Sequence, residues 1–89
     1  MSRYEIPAKD EFYYKVIVGW DPPLLTFFVE VIDRAKDKAR DDERRIVFWA
    51  GTSLREIYEV EQLASKVSRF AHLSDEMRRI LYRDKDEWR

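Results

Sequence analysis

Two runs of alternating apolar residues, Phe12–Trp20 (FYYKVIVGW) and Leu24–Asp33 (LLTFFVEVID), are separated only by Asp21-Pro22-Pro23. Side chains of an extended chain point alternately to opposite faces. In the first run Phe12, Tyr14, Val16, Val18 and Trp20 therefore share one face, and Tyr13, Lys15, Ile17 and Gly19 the other. In the second run Leu25, Phe27, Val29 and Val31 make a fully apolar face, with Thr26, Phe28, Glu30 and Ile32 opposite. Proline fixes its own φ, lacks an N–H and restricts the residue before it, so neither strand can run through Pro22-Pro23. The chain has to turn there, and an antiparallel hairpin is the simplest result.

The remaining segments extend this hairpin. RAKDKARDDER, from Arg34, has no large apolar residue with which to dock on a core, so it is expected to be a solvated connection. Arg45–Ala50 (RIVFWA), ended by Gly51, predicts a third strand. After Gly51 the period lengthens. Leu54, Ile57, Val60, Leu63, Ala64, Val67 and Phe70 share a helical stripe, with two candidate starts: Leu54, behind a Ser53/Glu56 capping box, or Glu59. Ser74 followed by Asp75 and Glu76 supplies a capping hydroxyl and two negative charges at the N-terminus of a second helix. Met77, Ile80, Leu81 and Trp88 make its apolar side, and Arg78, Arg79, Arg83, Asp84, Lys85, Asp86 and Glu87 its water-facing side. The expected fold is α+β: a three-stranded antiparallel sheet followed by two helices packed on one face, β-β-β-α-α. One small domain spans residues 1–89, with 1–11 and 34–44 expected to be flexible.

Composition narrows the functions open to such a domain. With 89 residues it buries only about two thirds of the surface its unfolded chain exposes, so no large apolar side chain is spare. The absence of cysteine removes disulfides, thiolate metal sites and cysteine nucleophiles. The charged start MSRYEIPAKDE and the lack of any run near the roughly 20 apolar residues of a membrane span predict a cytoplasmic protein without a membrane partner. Charge is balanced, 17 Lys+Arg against 18 Asp+Glu, which gives no global field toward polyanions. Residues 1–33 carry three basic and six acidic side chains, and residues 34–45 six basic and four acidic, a local excess of two positive charges.

The combination Gly19-Trp20-Asp21, Pro23-Leu24, Thr26-Phe27-Phe28, Phe48-Trp49, Gly51-Thr52 and Glu56-Ile57 resembles a group of short bacterial proteins of unknown function, over residues 14 to 73. The resemblance implies a compact single domain and brings no activity with it.

Candidate sites divide into chemistry and contact. Asp21, Glu30 and Asp33 are the acids nearest the sheet, but their spacing places no two together for acid–base work. Asp21 is expected to serve the turn, and Glu30 to pair with Lys15 across strands. His72 is the only histidine and lacks ligand companions, so no metal and no cofactor is expected. Ser53, Ser65, Ser68 and Ser74 lie in no nucleophile elbow. Gly51-Thr52-Ser53 could hold an anion on backbone N–H groups, but lacks the further glycines and lysine of a phosphate loop. These absences point away from an enzyme. A nucleic-acid reading would use Tyr13, Tyr14, Lys15, Phe28, Phe48 and Trp49 as a stacking platform beside Arg44 and Arg45, with binding weakened by interleaved acids. The preferred reading is a non-catalytic protein-interaction module, closed by a protein partner or a second copy. Its expected surface is Tyr13, Ile17, Phe28, Ile32 and Trp49, the apolar groups left over on the sheet's second face. Trp20 with Pro22-Pro23 joins that surface as an aromatic–proline platform only if its ring is uncovered, the alternative being a hairpin corner packed on the helices.

Overall fold

The computed structural model describes residues 1–36 and 46–87. Its sheet has four antiparallel strands in sequential order: β1 (Tyr4–Ile6), β2 (Tyr14–Asp21), β3 (Thr26–Asp33) and β4 (Ile46–Ala50). Two helices follow, α1 (Val60–Val67) and α2 (Asp75–Glu87). The fold is therefore α+β, as the change of period from two to about 3.6 requires. None of the described helices is long and apolar enough to cross a membrane.

The central hairpin forms where the prolines demand. Asp21 pairs with Thr26, closing a four-residue loop in which the Leu25 N–H donates to the Pro22 carbonyl at 3.1 Å. Pro23 thus takes the second position of the turn, which its fixed φ suits. Leu25 ends the turn at φ 51, in the left-handed region. From there β2 and β3 pair without a break from Asp21↔Thr26 to Tyr14↔Asp33.

The sequence predicts three strands, and the fourth is β1. Tyr4–Ile6 lies in the 1–11 stretch for which polarity suggests flexibility, and it pairs with β2 from Tyr4↔Val18 to Ile6↔Val16. Three residues with a central glutamate, stopped by Pro7, are too few to show an alternation. Tyr4 and Ile6 point to the helical side, and Ile6 is buried there. The opposite expectation of flexibility, for 34–44, falls mostly outside the described residues. Arg34–Lys36 form a 3-10 turn.

The helices cover one face only, α1 against β3 and α2 against β2. Under them lie Val16, Val18 and Trp20 of β2 and Phe27, Val29 and Val31 of β3, all buried. Trp20 and Phe27 meet edge to face at 4.9 Å. Val60, Leu63, Val67 and Leu81 fill this core from the helical side. Phe48 also turns toward it and stacks on Phe70 at 5.6 Å.

The first helix begins at the later of its two candidate starts. Glu59 is the N-cap, and it and Gln62 exchange side-chain-to-backbone bonds as a capping box. Residues 53–58 cannot join the helix, because Arg55 has φ 54. Ile57 reaches the core instead from the turns and bends that precede the helix, docked beside β3 beyond the end of β4. The Ile57 N–H donates to Thr26 Oγ1 at 2.8 Å, and the Phe27 N–H donates to the Ile57 carbonyl at 2.8 Å. Leu54, placed on the same stripe by its spacing, is 65% exposed.

The second helix is capped as expected, the Met77 N–H donating to Ser74 Oγ at 3.1 Å. Its polar side departs from expectation twice. Asp84 is buried and accepts the Tyr4 hydroxyl at 2.5 Å, which ties β1 to α2. Lys85 folds back so that Nζ donates to the Tyr58 carbonyl at 2.6 Å and lies 3.7 Å from the centre of the Tyr58 ring. Trp88, expected on the apolar side, lies outside the described residues.

Candidate functional site

The second face of the sheet is where the sequence leaves apolar groups unaccounted for. Ile17, Phe28 and Ile32 do lie there, but they are buried as a small cluster of their own. The expectation that they form an exposed patch is thereby corrected, and over Gly19 and Phe28 the cover is the N-terminal residues. The Ser2 N–H donates to the Trp20 carbonyl at 3.1 Å, and Ser2 Oγ accepts the Trp20 N–H at 2.9 Å. This lays the chain start across Gly19. A Cβ on Gly19 would stand 2.0 Å from the Ser2 carbonyl oxygen and 2.7 Å from the Phe28 ring, so only glycine leaves room for both.

Arg3 then reaches over the face. Its guanidinium donates to both carboxylate oxygens of Glu30, at 2.9 and 3.4 Å, and lies 5.8 Å from the centre of the Phe28 ring. A forked, charge-assisted pair of this kind holds its geometry better than a single contact. Glu30 was expected to pair with Lys15. Lys15 instead lies 4.0 Å from Glu5, which also pairs with Arg34 at 3.5 Å. The aliphatic stems of such side chains shelter apolar surface while their charged ends stay in water.

Trp20, the conditional member of the surface, is buried in the main core, so Asp21-Pro22-Pro23 is a turn and not a ligand platform. Tyr13 is exposed, but precedes β2 at the end of the sheet away from the hairpin turn, against Phe12 at 5.0 Å. Trp49 is the member that stays open. It is 55% exposed on β4, directly opposite Glu30, with exposed Val47 two residues before it on the same face. Beside it an open cleft of about 220 Å³ is lined by Met1, Arg3, Asp21, Leu24, Phe28, Glu30, Trp49, Gly51 and Thr52. Sequence reasoning missed Met1, Arg3 and Leu24, and considered Gly51 and Thr52 only as an anion-holding turn. Arg3 and Glu30 stand 27 positions apart, and only the pairing of β1 with β2 brings them together.

Most of the chemical candidates are occupied otherwise. Asp33 Oδ1 accepts the Ala35 N–H at 2.9 Å, and Glu30 is held by Arg3, which leaves Asp21 as the acid of the cleft without an ion pair among the described residues. His72 and Ser68 share a shallow depression of about 170 Å³ with Lys9 and Arg78, but the Ser68 hydroxyl donates to the Ser65 carbonyl at 2.7 Å. The Gly51 N–H, a candidate anion donor, already serves the Glu56 carboxylate at 2.6 Å. That bond holds the Glu56 carboxyl below its usual range, with help from the Thr52 N–H and the Ser53 hydroxyl and against a smaller effect of burial. Among the described residues no three His, Asp or Glu side chains gather as a metal site. The aromatic platform of the nucleic-acid reading is divided between faces: Phe28 is buried, Tyr14 meets Phe70 edge to face at 5.7 Å, and Phe48 stacks on Phe70. Arg44 and Arg45 lie outside the described residues.

The chain matches no family model, no curated protein and no solved structure.

Proposed function

We propose that this protein is a small non-catalytic interaction module whose contact surface is Trp49 with Val47 and the cleft beside them. One observation carries the reading: an indole more than half in water, on a strand, next to a concave surface lined by Phe28. In so small a domain every buried ring adds stability, and large side chains left in water beside a cleft mark contact surfaces. Tryptophan is among the residues that most often anchor protein interfaces. The surface is smaller than the sequence suggests, because Ile17, Phe28 and Ile32 are closed off within the molecule.

A Trp49→Asp variant tests this, since the site is exposed and Glu30 opposite it is already paired with Arg3, so the new charge costs little stability. The wild type is expected to associate with itself or to retain a protein partner in affinity capture, and Trp49→Asp to lose that association while its circular dichroism is unchanged. Equal behaviour of the two proteins overturns the reading. Retardation of single-stranded DNA or RNA at low salt, lost in Trp49→Asp, would replace it with nucleic-acid binding.

A further inference from the structure

The two edges of the sheet are built differently. β1 is three residues long, has Glu5 at its centre, and is followed at once by Pro7. Shortness, charge and proline are the usual protections of an exposed strand edge. β4 has five residues, IVFWA, with neither charge nor proline. Its one irregularity is a register shift opposite Val31 and Ile32, which leaves the pairing of Phe48, Trp49 and Ala50 regular.

Among the described residues, nothing pairs with the outer side of β4. Both helices pack on β2 and β3, and among the described elements β4 makes more than marginal contact with β3 alone. Among the described residues, no backbone hydrogen bond outside the sheet involves Ile46–Ala50. Strand edges of this kind present unpaired N–H and C=O groups in a row.

We infer that β4 pairs antiparallel with β4 of a second copy of the chain, joining two four-stranded sheets into one across a two-fold axis. This rests on the proposed contact surface and names its occupant. Three features favour an identical strand. An antiparallel edge is complementary to itself, so a two-fold axis satisfies both rows of backbone groups together. Val47 and Trp49, the side chains that project beside the axis, are uncharged, so the copy brings no like charge opposite either of them. The regular segment Phe48–Ala50 centres on Trp49, which sets the two indoles against each other, with Val47 diagonal to them.

The contact is small. Five residues at about 3.4 Å each give an edge of about 17 Å. Even with two indoles it buries well under the roughly 800 Å² per partner of a standard interface. The dimer is therefore weak and depends on concentration, monomeric in dilute solution and paired in concentrated solution.

Sedimentation velocity and amide NMR across a dilution series test the inference on the full chain. The expected result is reversible dimerisation, with dilution-dependent shifts and amide protection concentrated in Ile46–Ala50. Trp49→Lys, which sets like charges opposite each other, is expected to weaken dimerisation by at least about tenfold, and Val47→Lys to weaken it less. A wild type that stays monomeric at millimolar concentration overturns the second-copy inference, and so does a dimer whose perturbed amides lie elsewhere. If that monomer still binds another protein through Trp49, the proposed contact surface stands and only its occupant is wrong. A dimer indifferent to both lysine substitutions overturns the inference, and it removes the contact surface too if Trp49→Asp affects no other association.

Discussion

The two faces of the sheet bury comparable side chains by different means. Phe27 and Phe28 are neighbours in β3, and both are buried, at 0% and 3% exposure. Phe27 faces a layer of secondary structure, with Trp20 edge to face and α1 packed on its strand. Phe28 faces the start of the chain, a glycine and the guanidinium of Arg3. Among the described residues, Phe28 is thus kept from water without a layer of secondary structure above it, by the N-terminal segment and one ion-paired side chain laid across it. Such a cover lacks the fixed packing of a helix, so it should yield more easily when something beneath it is removed.

The largest expected effect breaks the comparison directly. Phe27→Ala should cost about 4 kcal/mol, the range for deleting a buried aromatic from a rigid core. Phe28→Ala should cost about 2 kcal/mol, because Arg3 and Ser2 can settle into the space. Urea denaturation of both variants measures the difference, and equal losses would mean that the second face is as rigid as the first. The glycines sharpen the point. Gly51 has φ +88, and a Cβ there would stand 2.1 Å from the Phe27 carbonyl oxygen and 2.6 Å from the Phe28 Cα, both backbone atoms. Gly51→Ala should therefore cost about 3 kcal/mol, and Gly19→Ala, which meets a movable chain start and a ring edge, about 1–2 kcal/mol. Thermal unfolding followed by circular dichroism ranks the two.

The smallest effect compares the polar ties that β1 and its neighbour Arg3 make to the two sides of the sheet. On the second face Arg3 forks onto Glu30, and on the helical face Tyr4 donates to Asp84. The hydrogen bond to Asp84 holds the Tyr4 phenol above its ordinary value, aided by burial and by the carboxylate's charge, and the nearby Arg83 opposes this. A raised folded value means that the folded state keeps its proton longer than the unfolded chain. The Tyr4 contribution is then complete below the ordinary value of 10.0 and is lost as pH rises through the folded value. Chemical denaturation at rising alkaline pH should show this loss in the wild type and a flatter profile in Tyr4→Phe.

Much of the main core is legible in the sequence. A period of two assigns Val16, Val18 and Trp20 to the same side as Phe27, Val29 and Val31, because a shift of one residue would put every one of them in water. Ser74 announces α2 because a helix N-terminus needs an acceptor for its free N–H groups. Ile57 shows the limit of spacing as evidence. Its interval of three residues from Leu54 and Val60 fits a helix, yet it is buried outside the helix, in a bend where the Thr26 hydroxyl accepts its N–H. A single buried hydroxyl on a strand 31 positions away has no signature in the local pattern.

The candidate surface was partly legible in the same way. The alternation alone separates the second face, and Ile17, Phe28, Ile32 and Trp49 do belong to it. Which of them stays open depended on contacts between the start of the chain and β2 and β3, made across long sequence separations. Phe28 is closed because Ser2 and Arg3 reach across the face at Gly19 and Glu30, while Trp49, beside the cleft that Met1 and Arg3 line, stays more than half exposed.

The sequence by itself determined the hairpin, the side of the sheet that carries the main core, and the change from strand to helix, since backbone sterics and side-chain periodicity act between near neighbours. Only the tertiary structure decided that a fourth strand forms, that Asp84 is buried, that Ile57 is buried outside the helix, and that Trp49 is left in water while Phe28 is not. Those outcomes depend on pairings between distant segments, whose free energy is set by what each group meets on arrival and not by the residues beside it in the chain.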